Sequence, residues 1–108
     1  MKGRDRMGKG NRPWWGRVTT ILAYYRKGKP LTEKAMKVIA DAIAETVALE
    51  DGAERMELVR VAWLEGGEPL DVAACRMMIP FYTAKRKADD FVELVARKLG
   101  YRKETKNG

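Results

Sequence analysis

Apolar residues recur at helical spacing along most of this chain, in five segments separated by short stretches that contain Gly or Pro. Residues at positions i, i+3, i+4 and i+7 share one face of an α-helix, so these segments predict amphipathic helices. No segment alternates as a half-buried strand does, and no repeat is evident at solenoid periods. The pattern therefore predicts an all-α fold of about five helices.

The first predicted helix spans residues 14–27 and ends where Gly28 and Pro30 interrupt the pattern. Trp14 and Trp15 are adjacent and cannot both face inward. We expect one of them to cap the core and the other to be exposed or covered by a partner chain. The predicted inner face comprises Trp15, Val18, Ile21 or Leu22, and Tyr25.

The second and third predicted helices span residues 33–49 and 53–64. Thr32 is a favourable N-cap residue for the second helix, and Asp51-Gly52 is typical of the turn between the two. The predicted inner residues are Ala35, Ile39, Ala42, Ile43, Thr46 and Val47 in the second helix, and Met56, Val59 and Trp63 with flanking Leu58 and Val61 in the third.

The last two predicted helices span residues 70–78 and 81–99 and are joined by a tight turn. Pro80 ends the first of them and opens the second, where its missing N–H has no cost, and Gly100 closes the second as a C-cap. The inner residues are Leu70, Ala73, Ala74 and Met77 in the first and Ala84, Ala88, Phe91, Val95 and Leu99 in the second, whose outward residues are Tyr82, Lys85, Arg86 and Asp89.

This pair of helices, with a basic second helix, has the layout of a helix-turn-helix. It resembles the C-terminal half of phage transcriptional regulators of the RinA/ArpU type, whose helix-turn-helix is similar to domain four of sigma factors. The resemblance covers residues 42–102 and implies activation of late phage or prophage genes. Pro80 departs from it, because such motifs usually have a Ser or Thr cap there. The matching residues are Ala73, Ala74, Met77, Ile79, Thr83, Arg86, Phe91, Leu99 and Gly100.

Charge is distributed unevenly along the chain. Residues 1–30 contain nine basic and one acidic residue, residues 31–74 four basic and ten acidic, and residues 75–108 nine basic and four acidic. Two basic ends therefore flank an acidic middle, which favours binding to a polyanion such as nucleic acid. We predict a disordered basic arm (1–13), a helical hairpin (14–50), a helix-turn-helix unit (53–101) and a basic tail (102–108).

The predicted function is sequence-specific binding of double-stranded DNA, with the helix from Phe81 in the major groove. Arg86 is expected to bond a guanine edge, Lys85 a base or phosphate, and Tyr82 a phosphate or thymine methyl. Asp89 is expected to orient Arg86 or Lys85 rather than to accept from a cytosine amine. Arg76 is a candidate phosphate contact, and Lys87 is expected along the helix flank or at the backbone. The full predicted set is Arg76, Phe81, Tyr82, Thr83, Lys85, Arg86, Lys87 and Asp89, with Lys2, Arg4, Arg6, Lys9 and Arg12 as a DNA-binding arm.

Composition argues against catalysis. The 108 residues include no His and one Cys, so the commonest general base, the commonest metal ligand and disulfide frameworks are missing. We expect no catalytic residue, metal or cofactor, and we expect Cys75 to be a partly buried structural thiol. No apolar run has the length of a membrane span, and no apolar signal-peptide core follows the basic N-terminus, which predicts a cytoplasmic protein without membrane contact.

Two other functions fit the same pattern. A small terminase subunit also uses a helix-turn-helix to bind viral DNA, although this chain lacks a long coiled-coil segment. A protein-interaction adaptor would instead use the acidic middle (33–71) and Trp14-Trp15 to bind RNA polymerase or a sigma factor without contacting DNA. A homodimer is conceivable through the same tryptophan pair.

Overall fold

The computed structural model describes residues 13–101, and this part of the chain contains five α-helices and no strand. The predicted all-α fold is thereby confirmed. None of these helices combines the length and the apolarity needed to cross a lipid bilayer. The helices are α1 (Trp15–Lys27), α2 (Glu33–Val47), α3 (Gly52–Val59), α4 (Leu70–Arg76) and α5 (Phe81–Leu99), and α3 continues directly into a π-helical turn (Arg60–Leu64).

Helix α1 begins one residue later than predicted, because Trp14 occupies its N-cap position. It ends at Gly28, whose φ of 73° lies in the left-handed region that glycine adopts without steric cost. Val18 and Leu22 are completely buried. Trp14 and Trp15 are both half-buried and both pack against the core. The expectation that one of the pair caps the core while the other is exposed is therefore wrong.

Helix α2 is capped as predicted and ends two residues early. The side-chain oxygen of Thr32 accepts a hydrogen bond of 3.0 Å from the backbone N–H of Ala35. Val47 is 57% exposed, so its predicted place on the inner face is wrong. Successive residues of an α-helix are rotated by about 100° around its axis, so Val47, which follows the buried Thr46, lies off the buried face. Val38, absent from the predicted set, is buried instead.

The third predicted helix is not a uniform α-helix. It begins at Gly52 and changes at Arg60 to a π-helical turn, where the N–H of Glu65 donates to the Arg60 carbonyl at 2.7 Å. A π turn holds one more residue than an α turn and so shifts the phase of the side chains that follow. Trp63 lies in this turn, and its indole N–H donates to the Ala88 carbonyl of α5 at 3.0 Å.

The link between α4 and α5 is longer than predicted. Helix α4 stops two residues before its predicted end, because Met78 adopts a left-handed backbone conformation with φ 60°. The N–H of Ile79 then donates to the Ala74 carbonyl at 2.9 Å, and Pro80 occupies the N-cap position of α5. Cys75, on the outer side of α4, is exposed and not partly buried as expected.

Helix α5 has the predicted bounds and lies between two clusters of buried side chains. The larger cluster joins it to α1, α2 and α3, and the smaller one joins it to α3 and α4. Because α5 is covered on two sides, its buried face is wider than predicted and includes Val92 and Ala96, whereas Leu99 is only half-buried. The buried residues of α5 are Ala84, Ala88, Phe91, Val92, Val95 and Ala96.

Candidate functional site

Alanines bring α4 and α5 close together behind the turn that joins them. Ala74, Ala84 and Ala88 are almost completely buried and form the smaller core cluster with Leu58 of α3. Side chains of this size let two helix backbones approach closely. The apolar contacts between α4 and α5 therefore lie behind the turn. The large side chains of the turn itself lie at the surface.

Large side chains are exposed at this turn. The exposed fraction is 91% for Met78, 78% for Tyr82 and 49% for Phe81. Neighbouring exposed apolar side chains are often found where a protein contacts a partner. We refer to Met78, Phe81, Tyr82 and Arg86 as the turn surface. Met78 was not in the predicted set of site residues.

Arg86 and Lys85 differ in how their charges are matched. The Lys85 ammonium lies 2.9 Å from the Asp89 carboxylate, one helical turn further along α5. Arg86 is exposed and forms no ion pair or hydrogen bond with any residue in the range 13–101. Its guanidinium carries five N–H donors in a planar fork. The turn surface therefore offers a set of hydrogen-bond donors that the described part of the protein does not use.

Lys87, which was expected along the helix flank or at the DNA backbone, does not belong to the turn surface. Its side chain is only 14% exposed, and its ammonium lies 2.5 Å from Glu54 and 2.9 Å from Asp51. Hydrogen bonds to Glu54 and then to Asp51 raise the pKa of Lys87. This lysine connects α5 to the start of α3, because two carboxylates of that region compensate its charge.

Arg76 is likewise held by carboxylates. Its guanidinium lies 2.8 Å from Glu57 of α3 and 2.9 Å from Glu68 in the loop before α4. Hydrogen bonds to Glu68 and to Glu57 raise the pKa of Arg76. A phosphate at Arg76, as expected from the sequence, has to compete with both carboxylates. In the structure, the ion pair between Arg76 and Glu57 joins α4 to α3.

A shallow groove follows the outer face of α5 from the turn surface. Thr83, another predicted residue, is half-buried and does not line it. The groove combines aromatic rings and two cations with three carboxylates, so it offers both donors and acceptors to a ligand. Within residues 13–101 no three acidic, Cys or His side chains are grouped to hold a metal ion. The groove is lined by Phe81, Tyr82, Lys85, Arg86, Asp89, Asp90 and Glu93.

The predicted arm residues Lys2, Arg4, Arg6, Lys9 and Arg12 and the predicted tail (102–108) lie outside the described residues. Comparison of the chain with family models, with curated proteins and with solved structures finds no match. The function is therefore inferred from the residues of the site.

Proposed function

We propose that this protein binds double-stranded DNA and that the first half of α5 contacts base edges in the major groove. The observation that carries the proposal is the exposed Arg86 guanidinium, which has no partner among residues 13–101. A guanidinium donates bidentately to O6 and N7 of guanine, the commonest specific contact between proteins and DNA. Tyr82, 78% exposed one turn earlier, is the second contact, to a phosphate or a thymine methyl.

The packing of α5 supports this docking. A major groove about 12 Å wide admits a single α-helix when the exposed face of that helix is free of neighbouring elements. The buried Ala84 and Ala88 face α3 and α4, while Tyr82 and Arg86 are exposed. Lys85 adds a donor, and Asp89 limits its movement through their contact of 2.9 Å.

The biological task that we propose is regulation of transcription. Its support is the resemblance of residues 42–102 to RinA/ArpU-type regulators, which implies late phage or prophage genes as the target.

The proposal is tested by selecting bound duplexes from a random pool and then measuring the affinity of Arg86→Ala for the selected sequence and for a random one. We expect a loss of about 1–3 kcal/mol on the selected duplex and relaxed preference at one base pair. Lys27→Ala, which removes an exposed positive charge at the far end of α1, is the control and should keep the preference. Equal weakening on both duplexes would contradict base recognition by Arg86.

A second candidate is favoured by the apolar part of the turn surface. Phe81 and Tyr82 are exposed and line one groove with the carboxylates of Asp89 and Asp90, and Met78 is exposed in the turn before them. Apolar side chains ringed by charges are typical of contacts between proteins, so an adaptor that binds polymerase would use this group rather than the acidic middle and the Trp14-Trp15 pair expected from the sequence. Duplex titration separates the two functions, because an adaptor shows no selected sequence and no affinity that depends on Arg86.

A further inference from the structure

The outward side chains at the start of α5 leave the helix in different directions. Successive residues are rotated by about 100°, so Tyr82 and Arg86, which are four residues apart, differ in direction by only 40° or so. Lys85 differs in direction from Arg86 by about 100°, and Phe81 differs from it by about 140°. Tyr82 and Arg86 therefore leave α5 on the same side, whereas Lys85 and Phe81 leave it on its flanks.

These directions decide which part of a duplex Tyr82 meets. Base edges form the floor of the major groove, and the phosphates lie along its two sides. When Arg86 donates to a guanine edge, Tyr82 also points toward the floor. Its side chain is 78% exposed, and its hydroxyl forms no hydrogen bond with any residue in the range 13–101. The ring of Tyr82 is thus available to a base edge.

Acidic side chains limit the duplex to the first part of α5. Asp89, Asp90 and Glu93 line the groove beyond Arg86, and their carboxylates repel the phosphates of DNA. Residues 78–86 include no acidic residue. The bases that neighbour the contacted guanine on the side of the turn are therefore the ones that lie close to Tyr82.

The C5-methyl group of thymine is the apolar group that base edges present in the major groove. The face of an aromatic ring complements such a group, because their contact removes apolar surface from water. Tyr82 and Arg86 are about 6 Å apart along the helix axis, and neighbouring base pairs are about 3.4 Å apart. With α5 along the groove, the Tyr82 ring lies over a base about one or two pairs from the guanine.

We propose that the ring of Tyr82 recognises the C5-methyl group of a pyrimidine beside the guanine that Arg86 contacts. This inference rests on the proposed function and names the class of duplex that its site prefers. Such a duplex contains a pyrimidine methylated at C5, which is thymine or 5-methylcytosine, close to a G·C pair. Tyr82 then acts as a specificity-determining residue through its ring, and its hydroxyl is not needed for the contact.

The test uses the full-length protein and a duplex selected from a random pool, in which thymines are replaced by deoxyuridine one position at a time. Uracil pairs with adenine as thymine does and lacks only the methyl group. At the contacted position this replacement should weaken binding about fourfold, the effect of one methyl group that is no longer buried. Methylation of a cytosine placed at the same position should strengthen binding. A gain with one base alone identifies the source of the methyl group, and no gain with either base overturns the inference.

Two substitutions of Tyr82 separate the ring from the hydroxyl. Tyr82→Ala should abolish the difference between the thymine and uracil duplexes, as expected when the two contacting groups are removed in turn. Tyr82→Phe keeps the ring and should keep the difference. A Tyr82→Phe protein that binds both duplexes more weakly, and to the same extent, would show that the hydroxyl contacts a phosphate instead.

Tyr24→Ala and Phe81→Ala are the matched controls. Tyr24 is an exposed tyrosine of α1 that does not line the groove, and Phe81 lines the groove but leaves α5 in another direction. Both controls should keep the difference between thymine and uracil. Melting temperatures are measured for all variants, and Tyr82→Ala should melt close to the parent because its side chain is mostly exposed.

The outcomes separate this inference from the proposed function. Equal binding of the thymine and uracil duplexes at every position, while Arg86→Ala loses sequence preference, overturns the methyl contact and leaves the proposed function intact. A difference between thymine and uracil that persists in Tyr82→Ala assigns the methyl contact to another residue and overturns the role of Tyr82. Absence of duplex binding by the parent at low salt overturns the proposed function and this inference together.

Discussion

At the scale of single residues, Gly52 sets how closely α2 and α3 approach each other. It is buried, and its N–H donates to the Leu49 carbonyl at 2.9 Å in the turn between these helices. A Cβ placed on Gly52 would overlap the backbone carbonyls of Val47 and Thr46, at 2.7 Å from the Thr46 oxygen. The obstacle is backbone, which cannot move aside as a flexible side chain does. Position 52 therefore requires glycine, because there is no room for a Cβ atom.

We therefore expect Gly52→Ala to lower the free energy of unfolding by about 1–3 kcal/mol, the usual cost of forcing an extra carbon into a packed site. Gly16→Ala in α1 is the control, because a Cβ there meets nothing within 4 Å. It should raise stability by about 0.5–1 kcal/mol through the helix propensity of alanine. Urea unfolding measures both, and a stable Gly52→Ala protein would contradict the close approach of α2 to α3.

At the scale of elements, α5 is both the centre of the fold and the helix of the candidate site. Phe91 is 2% exposed and belongs to the larger core cluster, whereas Phe81 on the same helix is 49% exposed. The two positions are ten residues apart in sequence, which amounts to almost three helical turns. The two phenylalanines differ in burial because only the second half of α5 is covered by α1 and α2.

Phe91→Ala should cost about 3–5 kcal/mol through cavity formation, enough to unfold a domain of this size. Phe81→Ala makes the same chemical change at the turn surface and should cost about 1 kcal/mol or less, because half of the ring is already hydrated. Lys85→Ala should change stability by no more than about 0.5 kcal/mol and reduce affinity for duplex DNA.

Unfolding curves and duplex titration of these three variants test the orientation of α5. If Lys85→Ala unfolded the protein while Phe91→Ala folded and lost DNA, the buried and exposed faces of α5 would be reversed and the proposed docking would be wrong.

At the scale of the whole molecule, charge networks connect the helices. Glu57 of α3 accepts hydrogen bonds from Arg60 at 2.6 Å and from Arg76 of α4 at 2.8 Å. These bonds, the one from Arg60 foremost, lower the pKa of Glu57 to about 2. The Asp51 and Glu68 carboxyls also have lowered pKa values, through hydrogen bonds from Lys87 and Arg76 respectively.

A carboxyl whose pKa is lowered by folding contributes stability above its unfolded pKa and loses it as the pH falls toward the folded pKa. We therefore expect the free energy of unfolding to decrease between about pH 4.5 and about pH 2. Glu57→Gln should make that decrease shallower. Part of the decrease should remain in this variant, because the pKa values of Asp51 and Glu68 are also lowered.

Urea unfolding at several pH values, at constant salt, measures this dependence. Glu33→Gln is the control, because it removes an exposed carboxylate that has no ion pair among residues 13–101. A Glu57→Gln protein with the same pH dependence as the parent would show that the Glu57 network does not stabilise the fold.

The apolar periodicity of the sequence determined the number, order and most bounds of the helices. Such periodicity is local, and the stops supplied by Gly28, Pro80 and Gly100 are local as well, so both follow from the order of residues alone. The same pattern identified Arg86 and Tyr82 as outward residues of α5, and both are exposed.

Only the tertiary structure decided which charged side chains form ion pairs and how wide the buried face of each helix is. Lys87 lies on the flank of α5 by periodicity, yet Asp51 before α3 and Glu54 in its first turn both pair with it. Likewise, Pro13 and Tyr101 line one cavity although they lie at opposite ends of the described range. Helical phase fixes the direction of a side chain, but its burial and its partners depend on the elements that pack beside it.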